Sequence, residues 1–155
     1  MPGIMQTEVN EARGLTFAKA ARHLMRQDPQ VLVIGEVRDD ETAQIAIRAA
    51  LTGHLVFSTL HTNDAASTYT RLTDMGTDPF LLTTTIRGIL AQRLLRRLCE
   101  KCKVKYKATE VELDTIGMAG YAGNLFQAAD QGCDDCNNGY SGRAGLYELL
   151  VPTEE

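Results

Sequence analysis

All four cysteines of the sequence fall in two pairs, Cys99-x-x-Cys102 and Cys133-x-x-Cys136, with thirty residues between the pairs. A CxxC pair turns two thiolates toward one ion, and two pairs complete the closed tetrahedral shell that structural zinc takes. Gly132 before the second pair, and Asn137-Asn138-Gly139 after it, tolerate the tight backbone turns of such knuckles. Disulfide or thiol redox chemistry and an iron cluster are the competing readings. The first needs an oxidising compartment, and nothing in the sequence points to export. Four thiolates leave no open coordination position, so a catalytic zinc is not expected.

A second set of chemical groups lies earlier. Val31-Leu32-Val33-Ile34 is a short continuous apolar run that ends on Gly35-Glu36. Such a run predicts a strand buried on both faces of a parallel sheet, and Glu36 would then stand at its C-terminal edge, where open α/β sheets bind ligands. A carboxylate there suits Mg²⁺, which is held through one or two carboxylates plus phosphate oxygens and waters. The competing reading is an ordinary strand end with a solvated glutamate. Leu55 opens a second buried run that continues into Ser58-Thr59-Leu60-His61-Thr62-Asn63. Hydroxyls, an imidazole and an amide at the end of a buried strand could sense a γ-phosphate, because such donors change partners when the phosphate leaves. Alternatively, Ser58 and Thr59 bond to backbone, Asn63 caps a helix, and His54 and His61 are satisfied core groups.

The elements that must position these groups follow from periodicity and punctuation. Thr16 predicts an N-cap for a helix over 17–27, with Phe17, Ala20, Ala21 and Leu24 on one face and Pro29 as its stop. Asp40 predicts the cap of a helix running to Gly53. Asn63 or Asp64 predicts a helix ending at Gly76, and Pro79 the start of a longer one reaching about Leu98. Strands over 31–34 and 55–60 alternate with these helices, which is the rhythm of an α/β layer. Residues 6–10 read as extended, entered through the turn of Pro2-Gly3, as in a chain met in mid-course. Beyond Leu98 the texture changes to cysteines, glycines and short elements: a capping box at Thr109 and Glu112, then strands over 124–128 and 143–150. The expected division is therefore 1–98 as an α/β layer and 99–150 as a small four-cysteine element.

Composition sets the outer bounds. Hydrophobic residues at 44% and charged residues at 23% of 155 place the chain in the globular range. No window approaches the roughly 18 apolar residues of a membrane helix, and no signal-peptide pattern opens the chain, so a soluble cytoplasmic protein is expected. A net charge of −4 argues against a dedicated nucleic-acid binder. The charge is uneven, however. Arg93, Arg96, Arg97, Lys101, Lys103, Lys105 and Lys107 form a basic run, followed by a strongly acidic remainder. The arginines are expected to complement the C-terminal dipole of the helix ending near Leu98. The lysines around Cys102 could meet anionic lipid.

Taken in order, these elements resemble the ATPases of type II secretion and type IV pilus assembly, of the general secretion pathway protein E type. The matching stretches are Gly14-Leu-Thr-Phe-Ala, Arg26-Gln-Asp-Pro, Ile34-Gly-Glu-Val-Arg-Asp, Glu41-Thr-Ala-Gln, Leu51-Thr-Gly-His through Asp64, Ala91-Gln-Arg-Leu, the paired cysteines, and Gly142-Arg-Ala-Gly-Leu-Tyr-Glu-Leu. The resemblance implies the C-terminal half of a RecA-like P-loop ATPase core, assembled as a hexameric ring, with a zinc-binding four-cysteine subdomain. It implies that Ile34 to Glu36 is the Walker B element and that Ser58 to Asn63, with His61, is the histidine box. Glu36 and His61 would then be catalytic, Gly35, Glu36, Ser58, Thr59 and His61 would meet ATP and Mg²⁺, and Cys99, Cys102, Cys133 and Cys136 would bind zinc. The implied partners are the inner-membrane platform and linker proteins of the secretion or pilus machine, with the chain peripheral to that membrane. A zinc-stabilised docking module without activity of its own is the alternative. One departure stands out: no G-x-x-x-x-G-K-[ST] occurs, so the phosphate cradle is missing from this sequence, and so is the family's acidic box. The isolated chain is expected to be inactive.

Overall fold

The computed structural model describes residues 3–153, and the chain divides into two compact units. One comprises the residues up to Ala91 together with those from Glu148 onward, and the other runs from Gln92 to Tyr147.

In the first unit, helix α1 spans Phe17–Leu24 and is capped by Thr16, whose hydroxyl accepts the Lys19 amide at 3.2 Å. A 3-10 turn, Met25–Gln27, completes the predicted segment, and Asp28, at φ 52°, breaks it ahead of Pro29. Strands β1 (Val31–Ile34) and β2 (Leu55–Ser58) pair in parallel, Val31 opposite Leu55 and Ile34 opposite Ser58. Between them runs helix α2, Asp40–Leu51. Its cap is Asp39 rather than Asp40: the Asp39 carboxylate accepts the Thr42 amide at 2.7 Å, which places Asp40 in the first turn. Ala21 and Ala49 pack on Leu32 and Ile34, and the small alanines let both helices approach the sheet closely.

The expectation that both strands are covered on both faces does not hold among the described residues. Leu32 and Ile34 are buried, while Val33 is 71% and Phe57 55% exposed on the other face. Continuous apolar sequence encodes cover on two sides, but α1 and α2 supply one side only.

A second cluster gathers Val37, Ala43, Ile47, Leu72 and Leu82. It joins α2 to helices α3 (Ser67–Asp74) and α4 (Pro79–Thr85). Asp78 caps α4 by accepting the Phe80 amide at 2.8 Å, and Pro79 sits at its first position. The expected helix to Leu98 stops at Thr85. Thr83, Thr84, Thr85 and Ile86 are four β-branched residues in a row, and the three hydroxyls bond back to the carbonyls of Phe80 and Leu81. Both features weaken a helix. The chain continues instead as strand β3, Ile89–Leu98, paired with strand β6, Tyr140–Leu150. Arg93, Arg96 and Arg97 therefore lie on a strand and not in the last turn of a helix, and Arg96 stacks over the Tyr140 ring at 3.9 Å.

The second unit carries strands β4 (Val104–Tyr106) and β5 (Leu125–Gln127), antiparallel with Lys105 opposite Phe126. Helix α5, Glu110–Thr115, begins with the predicted capping box of Thr109 and Glu112. Among the described residues no helix is long and apolar enough to cross a membrane.

Candidate functional site

Parallel pairing of β1 and β2 brings their C-terminal ends together, and the residues just beyond those ends form the first site. The Ser58 hydroxyl donates to the Ile34 carbonyl at 3.0 Å, the Thr59 hydroxyl to the Gly35 carbonyl at 2.8 Å, and the Val37 amide to the Thr59 carbonyl at 2.9 Å. These bonds lock the backbone on both sides of Glu36. Ser58 and Thr59 thus spend their protons on backbone, and only their oxygen lone pairs stay available to other partners. Gly35 lies against Phe17, whose ring would meet an added Cβ at 3.4 Å.

The Glu36 carboxylate is engaged at both oxygens. One lies 2.6 Å from the Arg38 guanidinium and the other 3.6 Å from His61 Nε2. The Glu36 side chain is 19% exposed, whereas His61 is 88% exposed. His61 is therefore no satisfied core histidine: it stands in solvent on the loop leaving β2, next to a half-buried acid. His54, by contrast, has a local role, its Nδ1 lying 3.0 Å from both the Ala49 carbonyl and the Thr52 hydroxyl at the end of α2. Glu36, Ser58, Thr59 and His61 are brought together as one group. Arg38 joins them; the sequence offered it only within the stretch Ile34 to Asp39 and gave it no role at the site.

The second site is the cysteine cluster of the other unit. All four Sγ atoms lie within 4.8 Å of one another. Cys99 and Cys133 are 3.8 Å apart, Cys102 and Cys136 3.7 Å, and Cys133 and Cys136 3.7 Å. A tetrahedral ion with sulfur ligands at about 2.3 Å separates those sulfurs by about 3.8 Å, so the four residues fit a thiolate site for an ion of zinc's size. The backbone supports the arrangement. The Cys133 amide donates to Cys136 Sγ at 3.1 Å, and the Cys99 amide to the Gly139 carbonyl at 2.8 Å. The Cys133 amide, ahead of the opposing loss of water, holds the Cys136 thiol down to about 7. Loss of water, followed by bonds from the neighbouring thiols, pushes Cys102 up to about 12. Four thiols so close share protons unequally, and a cation would replace those protons.

The lysines near the cluster are partly committed. Lys101 pairs with Asp135 at 2.7 Å, and Lys103 pairs with Glu100 and lies over the Phe126 ring. Lys105 and Lys107 have no such partner among the described residues.

One further polar contact escaped sequence reasoning. The Ala65 amide, on the loop that carries His61, donates to a carboxylate oxygen of Glu148 at 3.1 Å across 83 residues. No local signal could have revealed it.

The chain is 51% identical over 152 residues to type II secretion system protein E of Pseudomonas aeruginosa, covering 97% of this chain and 30% of that protein. It is 49% identical over 159 residues to the type IV pilus assembly ATPase PilB of Thermus thermophilus, covering all of this chain and 18% of the relative. The chain thus spans less than a third of the length of either. Among solved structures it is similar to the pilus retraction motor PilT with bound ADP, at a TM-score of 0.58 and 34% identity over 90% of this chain and 30% of that one. It is also similar to the ATPase DotB of Legionella pneumophila, at a TM-score of 0.57 and 27% identity over 96% of this chain and 31% of that one. The fold is accordingly the α/β fold of these ATPases. The family model described as type II/IV secretion system protein matches residues 1–155, and with half the residues shared with its members the chain belongs to that family.

Proposed function

We propose that this chain is the post-P-loop part of a RecA-like ATPase core, in a protein that hydrolyses ATP to power type II secretion or type IV pilus assembly. The observation that carries this reading is Glu36: a half-buried carboxylate at the end of a parallel strand, with its backbone locked and Arg38 and His61 at its two oxygens. Relatives 49% identical to this chain are named as a type IV pilus assembly ATPase and a type II secretion system ATPase.

In this reading Glu36, beside Gly35, would hold Mg²⁺, and Ser58 and Thr59 keep the Glu36 backbone from shifting. Bound Mg²⁺ would supply charge neutralisation at the phosphate oxygens. His61, exposed and able to leave Glu36, reports the phosphate state to the rest of the protein. Cys99, Cys102, Cys133 and Cys136 hold one structural zinc, which gives residues 99–150 a stability that so small an element lacks alone. The intact protein works as a hexameric ring at the cytoplasmic face of the inner membrane, against platform and linker proteins of the machine.

The test uses the full-length protein containing this chain. Glu36→Gln should keep ATP binding and lose turnover by about 100-fold, and His61→Ala should lower turnover by about tenfold. Elemental analysis should find one zinc per chain. Wild-type turnover in both variants would remove the catalytic reading, and less than about half an equivalent of zinc would remove the metal.

A further inference from the structure

Ala65 has no measurable exposure, so its backbone N–H cannot be satisfied by bulk water and needs a partner in the protein. The partner is the Glu148 carboxylate at 3.1 Å. Ala65 lies four residues after His61, just before α3, and the loop between them has its own local bonds. The Thr62 and Thr68 hydroxyls are 3.2 Å apart, and the Asp64 carboxylate accepts the Ser67 amide at 2.7 Å. Local bonds of this kind shape a loop without fixing where it stands relative to distant strands. Glu148 does the latter, because it reaches the loop from β6, where the chain re-enters the unit that holds Glu36 and His61.

We propose that Glu148 is a positioning residue for the histidine loop: by receiving the Ala65 amide, its carboxylate sets the distance at which His61 faces Glu36. The inference rests on the reading of His61 as the phosphate-state sensor. Hydrogen bonds between a charged acceptor and a buried amide are among the stronger ones, and removing the acceptor strands a buried donor. The expected result is a loop that drifts, with the nucleotide contacts made elsewhere left in place.

Full-length protein carrying Glu148→Ala or Glu148→Gln is compared with wild type in two assays. In steady-state ATP hydrolysis, Glu148→Ala should lower kcat by about three- to tenfold, no more than the loss of His61 itself, with KM within about twofold. Glu148→Gln keeps a side-chain carbonyl oxygen as acceptor and should recover most of the loss. In hydrogen exchange read by mass spectrometry, peptides covering 61–67 should exchange at least about tenfold faster in Glu148→Ala while those covering 31–34 stay unchanged. Unchanged exchange at 61–67, or a glutamine variant as impaired as alanine in both assays, overturns the proposal. If wild type itself fails to hydrolyse ATP, the ATPase reading falls and the exchange result still decides the role of Glu148. If the alanine variant does not fold, the glutamine variant decides by exchange: protection at 61–67 close to wild type supports the acceptor role, and loss of it overturns it.

Discussion

Alanine at position 132 should damage the cysteine site without removing any ligand. Gly132 stands immediately before Cys133 at φ +67°, and a Cβ built there would lie 2.6 Å from the Gly139 nitrogen and 3.0 Å from Cys136 Sγ. Ordinary contact begins at 3.4 Å, so backbone and a sulfur ligand must both yield. The left-handed conformation costs a non-glycine residue about 1–2 kcal/mol, and overpacking adds about 1–3 kcal/mol, giving about 2–5 kcal/mol in all. Because a small metal site folds as it binds, that strain is charged against metal affinity, and 2 kcal/mol corresponds to about 30-fold. Gly142 is the control: it has φ +75° with nothing within 4 Å of its added Cβ, so Gly142→Ala carries conformational strain alone. Zinc affinity measured by chelator competition should fall at least about 30-fold in Gly132→Ala, about 5- to 30-fold at most in Gly142→Ala, and at least about fivefold further in the first variant than in the second. Equal losses in the two variants, or a Gly132→Ala affinity within tenfold of wild type, would refute the steric argument.

Three other expectations follow from named contacts. Asp39→Ala removes the acceptor of the Thr42 amide and should cost about 1 kcal/mol in urea unfolding, whereas Asp39→Ser should restore most of it; no difference between the two variants would return the cap to another residue. The Glu112 carboxyl is held below its ordinary 4.5, first by the Thr109 amide and then by its hydroxyl, so its contribution to α5 is complete above the carboxylate range and is lost as pH falls through the lowered value. Carbon-detected NMR titration should place Glu112 below 4.5, and a midpoint at or above that value contradicts the capping box. Anionic vesicles should bind the full-length protein weakly and lose it at physiological salt, and Lys105→Gln with Lys107→Gln should remove more binding than Lys101→Gln with Lys103→Gln, whose lysines are already paired with Asp135 and Glu100; equal effects, or no binding at low salt, exclude a lipid role.

What could be read from sequence was encoded over short distances. The CxxC pairs, the Thr16 cap, the Thr109 and Glu112 box, the β1 run with Glu36 at its end, and the start of α4 at Pro79 all depend on neighbours a few residues away. Torsional preference, capping and ligand spacing act at that range, so residue type alone determines them. Tertiary structure decided the rest. Residues 89–98 carry apolar and basic side chains that suit a helix or a strand, and β6, beginning more than forty residues later, made them a strand. The apolar residues of β1 and β2 could not reveal that helices cover only one face, because composition records the wish for cover and not its supply. The grouping of Arg38 and His61 on Glu36, and the capture of the Ala65 amide by Glu148, required the chain ends of two strands and a third segment to meet in space. Such contacts are fixed by the packing of whole elements, and no local pattern carries that information.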